Sequence, residues 1–172
     1  RHGMKPLAVL VLLAGVAASG VPEPGDKPIP HSHAHNDYEH THPLFDALHQ
    51  GFVGVEADVY LVGTELRVSH EKKKDWSAVP TLEASYLKPL SALKTRRNSG
   101  GIYPDGTRLM LLIDIKTDAA PTYARLHDVL AAFESANPGL FTVYHMDGSG
   151  KWGVKRGAVD VVPDLAEGKR YL

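Results

Sequence analysis

Three short stretches of this 172-residue chain carry residue types that do chemistry. The first is His31-Ser32-His33-Ala34-His35-Asn36-Asp37-Tyr38. The second is Val55-Glu56-Ala57-Asp58-Val59, with Ser69-His70 beyond it, and the third is Ile113-Asp114-Ile115-Lys116. Side chains on a strand alternate faces, so residues i and i+2 share one. Glu56 and Asp58 therefore project together, away from Val55, Ala57 and Val59, and Asp114 and Lys116 form a similar pair. Paired acids on an otherwise apolar buried strand are costly unless a positive charge compensates them. A hard divalent cation held by carboxylate oxygens would do so. Lys116 would screen the remaining charge or hold an anionic substrate group. By the same alternation His31, His33 and His35 share a face, a spacing that suits zinc or copper. Blander readings fit these spacings too: a solvated polar strand face for Glu56 and Asp58, a local ion pair for Asp114 and Lys116, an ordinary loop histidine at His70.

The elements that must position these groups alternate between β and α. Ile29 to His35 reads as a short strand, and Pro43 to Gln50 as a helix start with proline near its first turn. Val53 to Leu61 is β-rich and ends near a turn at Gly63-Thr64, after which Leu66 to Ser69 is a second β segment. Leu82 to Lys94 has helical spacing interrupted by Pro89. Leu109 to Ile115 (LMLLIDI) is a near-continuous apolar run, the pattern of a strand buried on both faces in a parallel sheet. Pro121 to Ala136 is a helix closed by Asn137-Pro138-Gly139, and Leu140 to Tyr144 is another strand candidate. Such alternation argues an α/β fold with a parallel sheet.

Composition limits the function classes. Lys+Arg is 19 and Asp+Glu is 20, so the net charge of -1 gives no positive field for a nucleic-acid backbone. The absence of cysteine removes disulfides, zinc–thiolate sites, iron–sulfur clusters and thiol nucleophiles. Six of the 10 histidines (His31, His33, His35, His40, His42, His49) fall between residues 31 and 49. Arg1 to Gly3 read as a remnant ahead of Met4. Lys5, the apolar run Leu7 to Ala18 and the small residues Val16-Ala17-Ala18 then read as a secretory signal, so residues 1–20 are assigned to remnant and signal. Residues 21–30 read as a proline-rich linker and 31–172 as the folded part. The expected location is secreted or periplasmic.

Read as one piece, AHNDYEHTHPLFDALHQGFVGVEADVYLVGTELRVSHE resembles the glycerophosphodiester phosphodiesterase / phosphatidylinositol-specific phospholipase C-like superfamily. More narrowly it is similar to a bacterial branch marked by His-Asn-Asp-Tyr, Pro-Leu and a Gly-Phe strand carrying Glu-x-Asp. Thr81-Leu82, Tyr86 to Leu90 and Leu111 to Thr117 fit the same branch, and the resemblance spans roughly Pro30 to Tyr144. It implies a TIM-barrel type (β/α)8 fold, of which this chain would supply about the first half. It implies a metal-dependent phosphoric diester hydrolase using two histidines as acid and base. His35 and His70 match those histidines, with His33 the competitor for the first role. Glu56, Asp58 and Asp114 match the ligands of a divalent metal, Mg2+ or Ca2+. Lys116 matches the lysine near the phosphate, and Asn36 stands where many relatives place a phosphate-touching arginine.

The match fades after Tyr144, and the chain reads as truncated, with Val159 to Val162 opening one more strand. A half barrel leaves two sheet edges open, so a homo-oligomer is expected if it folds, and activity of the piece alone is in question. The expected substrate is a small-molecule or lipid phosphodiester, with a transient contact to a membrane surface and no nucleic acid. Competing readings are a sphingomyelinase D-like phospholipase, sharing the Asp-x-Lys-Thr pattern at Asp114 to Thr117, an exported His-rich metal-binding protein without catalysis, and a nonfunctional fragment.

Overall fold

The computed structural model describes residues 20–146 and 152–165. The run Leu7 to Ala18, expected to be a signal, and the last residues of the polar tail lie outside these described residues. Six strands are present among them: β1 (Gly54–Val62), β2 (Glu65–Val68), β3 (Leu109–Ile115), β4 (Val143–Met146), β5 (Trp152–Lys155) and β6 (Val159–Leu165). Three α-helices accompany them: α1 (Phe45–Gln50), α2 (Lys88–Arg97) and α3 (Ala119–Ala136).

The main sheet has the order β2-β1-β3-β6, and β4 and β5 form a separate two-stranded sheet. β1 runs parallel to β3 and β3 parallel to β6, but β2 returns antiparallel along β1. This overturns the expectation of half a (β/α)8 barrel. Among the described residues the molecule is a small mixed sheet of four strands, with a separate two-stranded sheet and three α-helices. The physical reason lies in Gly63-Thr64, the two residues between the register partners Val62 and Glu65. A two-residue link makes a hairpin, whereas a parallel connection needs a crossover of a dozen or more residues. Gly63 sits at φ 61, the left-handed conformation such tight hairpins require.

Burial along β3 also corrects the sequence reading. Leu109, Leu111, Ile113 and Ile115 are buried, while Met110 is 39% exposed and Leu112 and Asp114 are half-buried. LMLLIDI is thus covered on one face only. The covered face continues through Val55, Ala57 and Val59 of β1, all fully buried, and α3 packs against β1, β2 and β3. The opposite face carries Glu56 and Asp58, both buried, and the half-buried Asp114.

Local chemistry explains the remaining elements. Pro89 lacks an amide donor, and the chain meets it with a widened π-type turn at Glu83–Leu87 before α2 begins with proline in its first turn. Pro121 is likewise accommodated in the first turn of α3, ahead of which Asp118 caps by accepting from the Ala120 amide. Ile29 to His35 is not a strand. It touches the start of β1 through two isolated parallel bridges, Ile29 to Phe52 and Ala34 to Val55, separated by a turn with His31 at φ 61. The Leu140 to Tyr144 strand begins later than expected, at Val143, and pairs with β5 rather than joining the main sheet.

Candidate functional site

The site is assembled by register. Asp58 and Asp114 are partners across the parallel β1–β3 pair, and Glu56 lies two residues before Asp58 on the same face. Lys116 follows the end of β3 and is fixed by its amide, which donates to the Val59 carbonyl at 2.9 Å. The chain before His35 is stitched to β1 by the Ala34 amide on the Gly54 carbonyl at 2.9 Å and the Glu56 amide on the Ala34 carbonyl at 3.1 Å. His70 follows β2, where the Ser69 amide donates to the Asp58 carbonyl at 3.1 Å.

Both imidazoles lean on the Glu-x-Asp pair. Nδ1 of His35 contacts Oε2 of Glu56, and Nδ1 of His70 lies 3.2 Å from Oδ2 of Asp58. In each ring that leaves Nε2 for other chemistry. The carboxylates are deep, at 6% exposure for Glu56 and 1% for Asp58, while the rings reach solvent. Nζ of Lys116 bridges Oδ2 of Asp58 at 3.1 Å and Oδ2 of Asp114 at 2.5 Å. Burial pulls the Lys116 ammonium toward deprotonation, but the hydrogen bonds to Asp114 and Asp58 outweigh it and hold its pKa above the ordinary lysine range.

Three carboxylates share this face with one ammonium. Among the described residues, Oδ1 of Asp58 and Oδ1 of Asp114 are buried and have no hydrogen-bond partner. Ligand atoms of Glu56, Asp58 and Asp114 lie within 4.8 Å of one another. Buried, unpartnered anionic oxygens are costly, and an all-oxygen donor set of this kind fits a hard divalent cation.

Asn36 takes the left-handed conformation at φ 49, which asparagine tolerates better than most residues. Its amide donates to Oε2 of Glu56 at 3.3 Å, and its Oδ1 accepts from the Tyr38 hydroxyl at 3.1 Å. Tyr38 was given no role by sequence reasoning, yet its hydroxyl also lies 3.1 Å from Nδ1 of His70. Burial and the nearby Asp58 carboxylate push that hydroxyl above the ordinary tyrosine range, so it stays protonated. With Tyr38 donating to Asn36, the His70 Nδ1 proton faces both the Tyr38 oxygen and Asp58.

Asp37 was also missed. It is fully buried, and its Oδ2 accepts from the Leu44 amide at 2.6 Å and the Tyr86 hydroxyl at 2.9 Å. Leu44 sits at φ 68, a conformation a leucine adopts only when held. Asp37 thus locks the loop that carries His35 and Tyr38. The signal was present, since an acid among apolar residues demands partners, but those partners lie 7 and 49 residues away. His33 and His35 both come near Glu56, whereas His31 joins neither group of close-lying ligand atoms among the described residues. The three-histidine face is therefore corrected to two, because the turn at His31 breaks the alternation. A cavity of about 750 Å³ borders the site at His35 and is lined further by His40, His49, Glu39 and Phe52.

The family model of the AIM6-like phosphodiesterase domain matches residues 26–162. Among curated proteins, "Altered inheritance of mitochondria protein 6" of Lachancea thermotolerans is 36% identical over 132 residues, covering 69% of this chain and 30% of the relative. The protein of that name from Kluyveromyces lactis is 34% identical over 114 residues, 52% of this chain and 27% of the relative. The homolog from Arthroderma benhamiae is 31% identical over 131 residues, 66% of this chain and 41% of the relative. The chain therefore spans less than half the length of these relatives. None of these matches supports the narrower bacterial branch. No solved structure matches the chain.

Proposed function

This chain belongs to the family of AIM6-like phosphodiesterase domains, and on that premise we propose that it carries the acid/base and cation-binding face of a phosphoric diester hydrolase. The finer reading is a metal-dependent enzyme for glycerophosphodiesters or phospholipid head groups. One observation carries it: the unpartnered buried oxygens of Asp58 and Asp114, set beside Glu56, with an imidazole on each acid of the Glu-x-Asp pair.

Glu56, Asp58 and Asp114 would hold Mg2+ or Ca2+, which supplies charge stabilisation for phosphoryl oxygens. The chain's own residues do the rest. Asp58 and Tyr38 hold Nδ1 of His70, which fixes the ring and leaves Nε2 to exchange a proton. Glu56 does the same for His35. One ring takes the proton of the attacking hydroxyl, and the other returns a proton to the leaving oxygen. Lys116 keeps Asp58 and Asp114 from repelling each other. The cavity beside His35 gives a leaving group room on that side. Export through the segment Met4 to Ala18, and transient contact with a membrane surface, belong to the same proposal and rest on the sequence alone.

The test is hydrolysis of bis(p-nitrophenyl) phosphate and glycerophosphodiesters with Mg2+ or Ca2+. His35→Ala and His70→Ala are each expected to abolish turnover. Turnover that survives both substitutions overturns the assignment. Product analysis for a cyclic phosphate then separates a substrate hydroxyl from water as nucleophile.

A further inference from the structure

Glu56 serves two ligand groups. Besides the acidic trio, one atom each from His33, His35 and Glu56 lie within 4.8 Å of one another. Nε2 of His33 is 3.8 Å from Oε2 of Glu56, the oxygen that Nδ1 of His35 contacts. Two neutral imidazoles and one carboxylate are the donors of zinc-class transition metals, whereas Mg2+ and Ca2+ take oxygens.

The backbone builds this second trio. Ala34, between the two histidines, is pinned to β1 by hydrogen bonds on both of its peptide groups, so His33 and His35 cannot slide relative to Glu56. His33 needs the bare backbone at Gly54. A Cβ there would meet Nδ1 of His33 and the Ser32 carbonyl, each at 3.1 Å. The ring rests its Nδ1 edge over that glycine and turns Nε2 toward Glu56. Glu56 is nearly fully buried, while the side chains of His33 and His35 are 34% and 75% exposed, so an ion from solvent reaches the trio through the imidazoles.

We propose that His33, His35 and Glu56 bind a zinc-class dication, and that binding there silences the hydrolase by taking Glu56 from the acidic trio and His35 from proton transfer. The silencing rests on the hydrolase reading; the binding does not.

Zinc affinity is measured on the full chain by competition with a chromophoric chelator. The wild type is expected to bind one Zn2+ at the trio. His33→Gln should weaken binding at least tenfold, while His31→Gln and Asp114→Asn change it less than twofold. Cobalt(II) in place of zinc should give visible absorption bands in the wild type that are absent in His33→Gln, with far-UV circular dichroism confirming that the variant is folded. In the hydrolysis assay with excess Mg2+, the zinc concentration for half inhibition should rise at least tenfold in His33→Gln. The site is overturned if His33→Gln binds zinc as the wild type does, or if Asp114→Asn alone loses it. If the chain hydrolyses no diester, the silencing falls with that reading, and the chelator competition still decides the binding.

Discussion

Asp58 and Asp114 stand opposite each other on adjacent parallel strands, each with Oδ2 on the Lys116 ammonium and Oδ1 buried without a partner among the described residues. Each carboxylate is half satisfied. The arrangement stores like-charge repulsion that an added cation relieves, and this makes the face testable apart from any catalytic assay.

Mg2+ or Ca2+ should stabilise the folded chain. At a hundredfold excess over the dissociation constant, a ligand specific for the folded state contributes about 2.7 kcal/mol. Asp114→Asn should lose most of this gain while melting, without metal, at or above the wild-type temperature. Thermal melts with chelator and with saturating metal read both effects.

Lys116→Met should show the opposite pattern. Without its ammonium, Asp58 and Asp114 face each other unscreened, and the chelated protein should melt lower by about 2–4 °C for each kcal/mol lost. Divalent metal should restore the melting temperature and bind more tightly than to the wild type, because no ammonium competes. Titration calorimetry measures the affinity. Lys116 also carries a pH signature. Its folded pKa is raised, so its contribution is present below the ordinary lysine pKa and is lost as pH rises through the folded value. The wild type should therefore lose stability in the alkaline range more steeply than Lys116→Met.

Tyr38→Phe keeps the ring and removes the hydroxyl that spans Asn36 and His70. Turnover should fall by about tenfold, equivalent to about 1.4 kcal/mol of barrier, with KM little changed. The loss of stability should stay near 1 kcal/mol, as for one hydrogen bond. Steady-state kinetics with parallel denaturant melts separate the two.

Asp37 sets a stability effect of the same sign in the acid range. Burial pushes its carboxyl above the usual carboxylate range, against the Leu44 amide and Tyr86 hydroxyl, which pull it down. The folded state then holds the Asp37 proton more tightly than the unfolded chain. Its contribution is therefore largest in acid and declines as pH rises from the ordinary aspartate pKa through the raised value. Asp37→Asn retains one oxygen for both donors and should remove that slope, read as the wild-type minus variant difference in unfolding free energy across pH 3–7. Asp37→Ala should cost about 1–3 kcal/mol for each buried donor left without an acceptor.

The sequence alone determined much of the face. Period-two alternation put Glu56 and Asp58 on one side of a strand, and the structure has them there beside the covered row Val55, Ala57 and Val59. The α/β class, the turn at Gly63-Thr64 and the helix ending at Ala136 were also legible, because each depends on residues within one or two turns of chain. The family resemblance was legible in its coarser form, a phosphodiesterase domain. Tertiary structure decided what depends on residues far apart. Alternation cannot show that Asp114 falls opposite Asp58, since register between β1 and β3 is set by packing across a connection of some 46 residues. It cannot show that an apolar run such as LMLLIDI is covered on one face only, because coverage belongs to the neighbours. The antiparallel return of β2, which replaced the expected half barrel by a mixed sheet, followed from a two-residue turn too short for a crossover. The roles of Tyr38 and Asp37 emerged only in three dimensions. A polar residue announces that it needs partners, but which ones it finds is fixed by the fold.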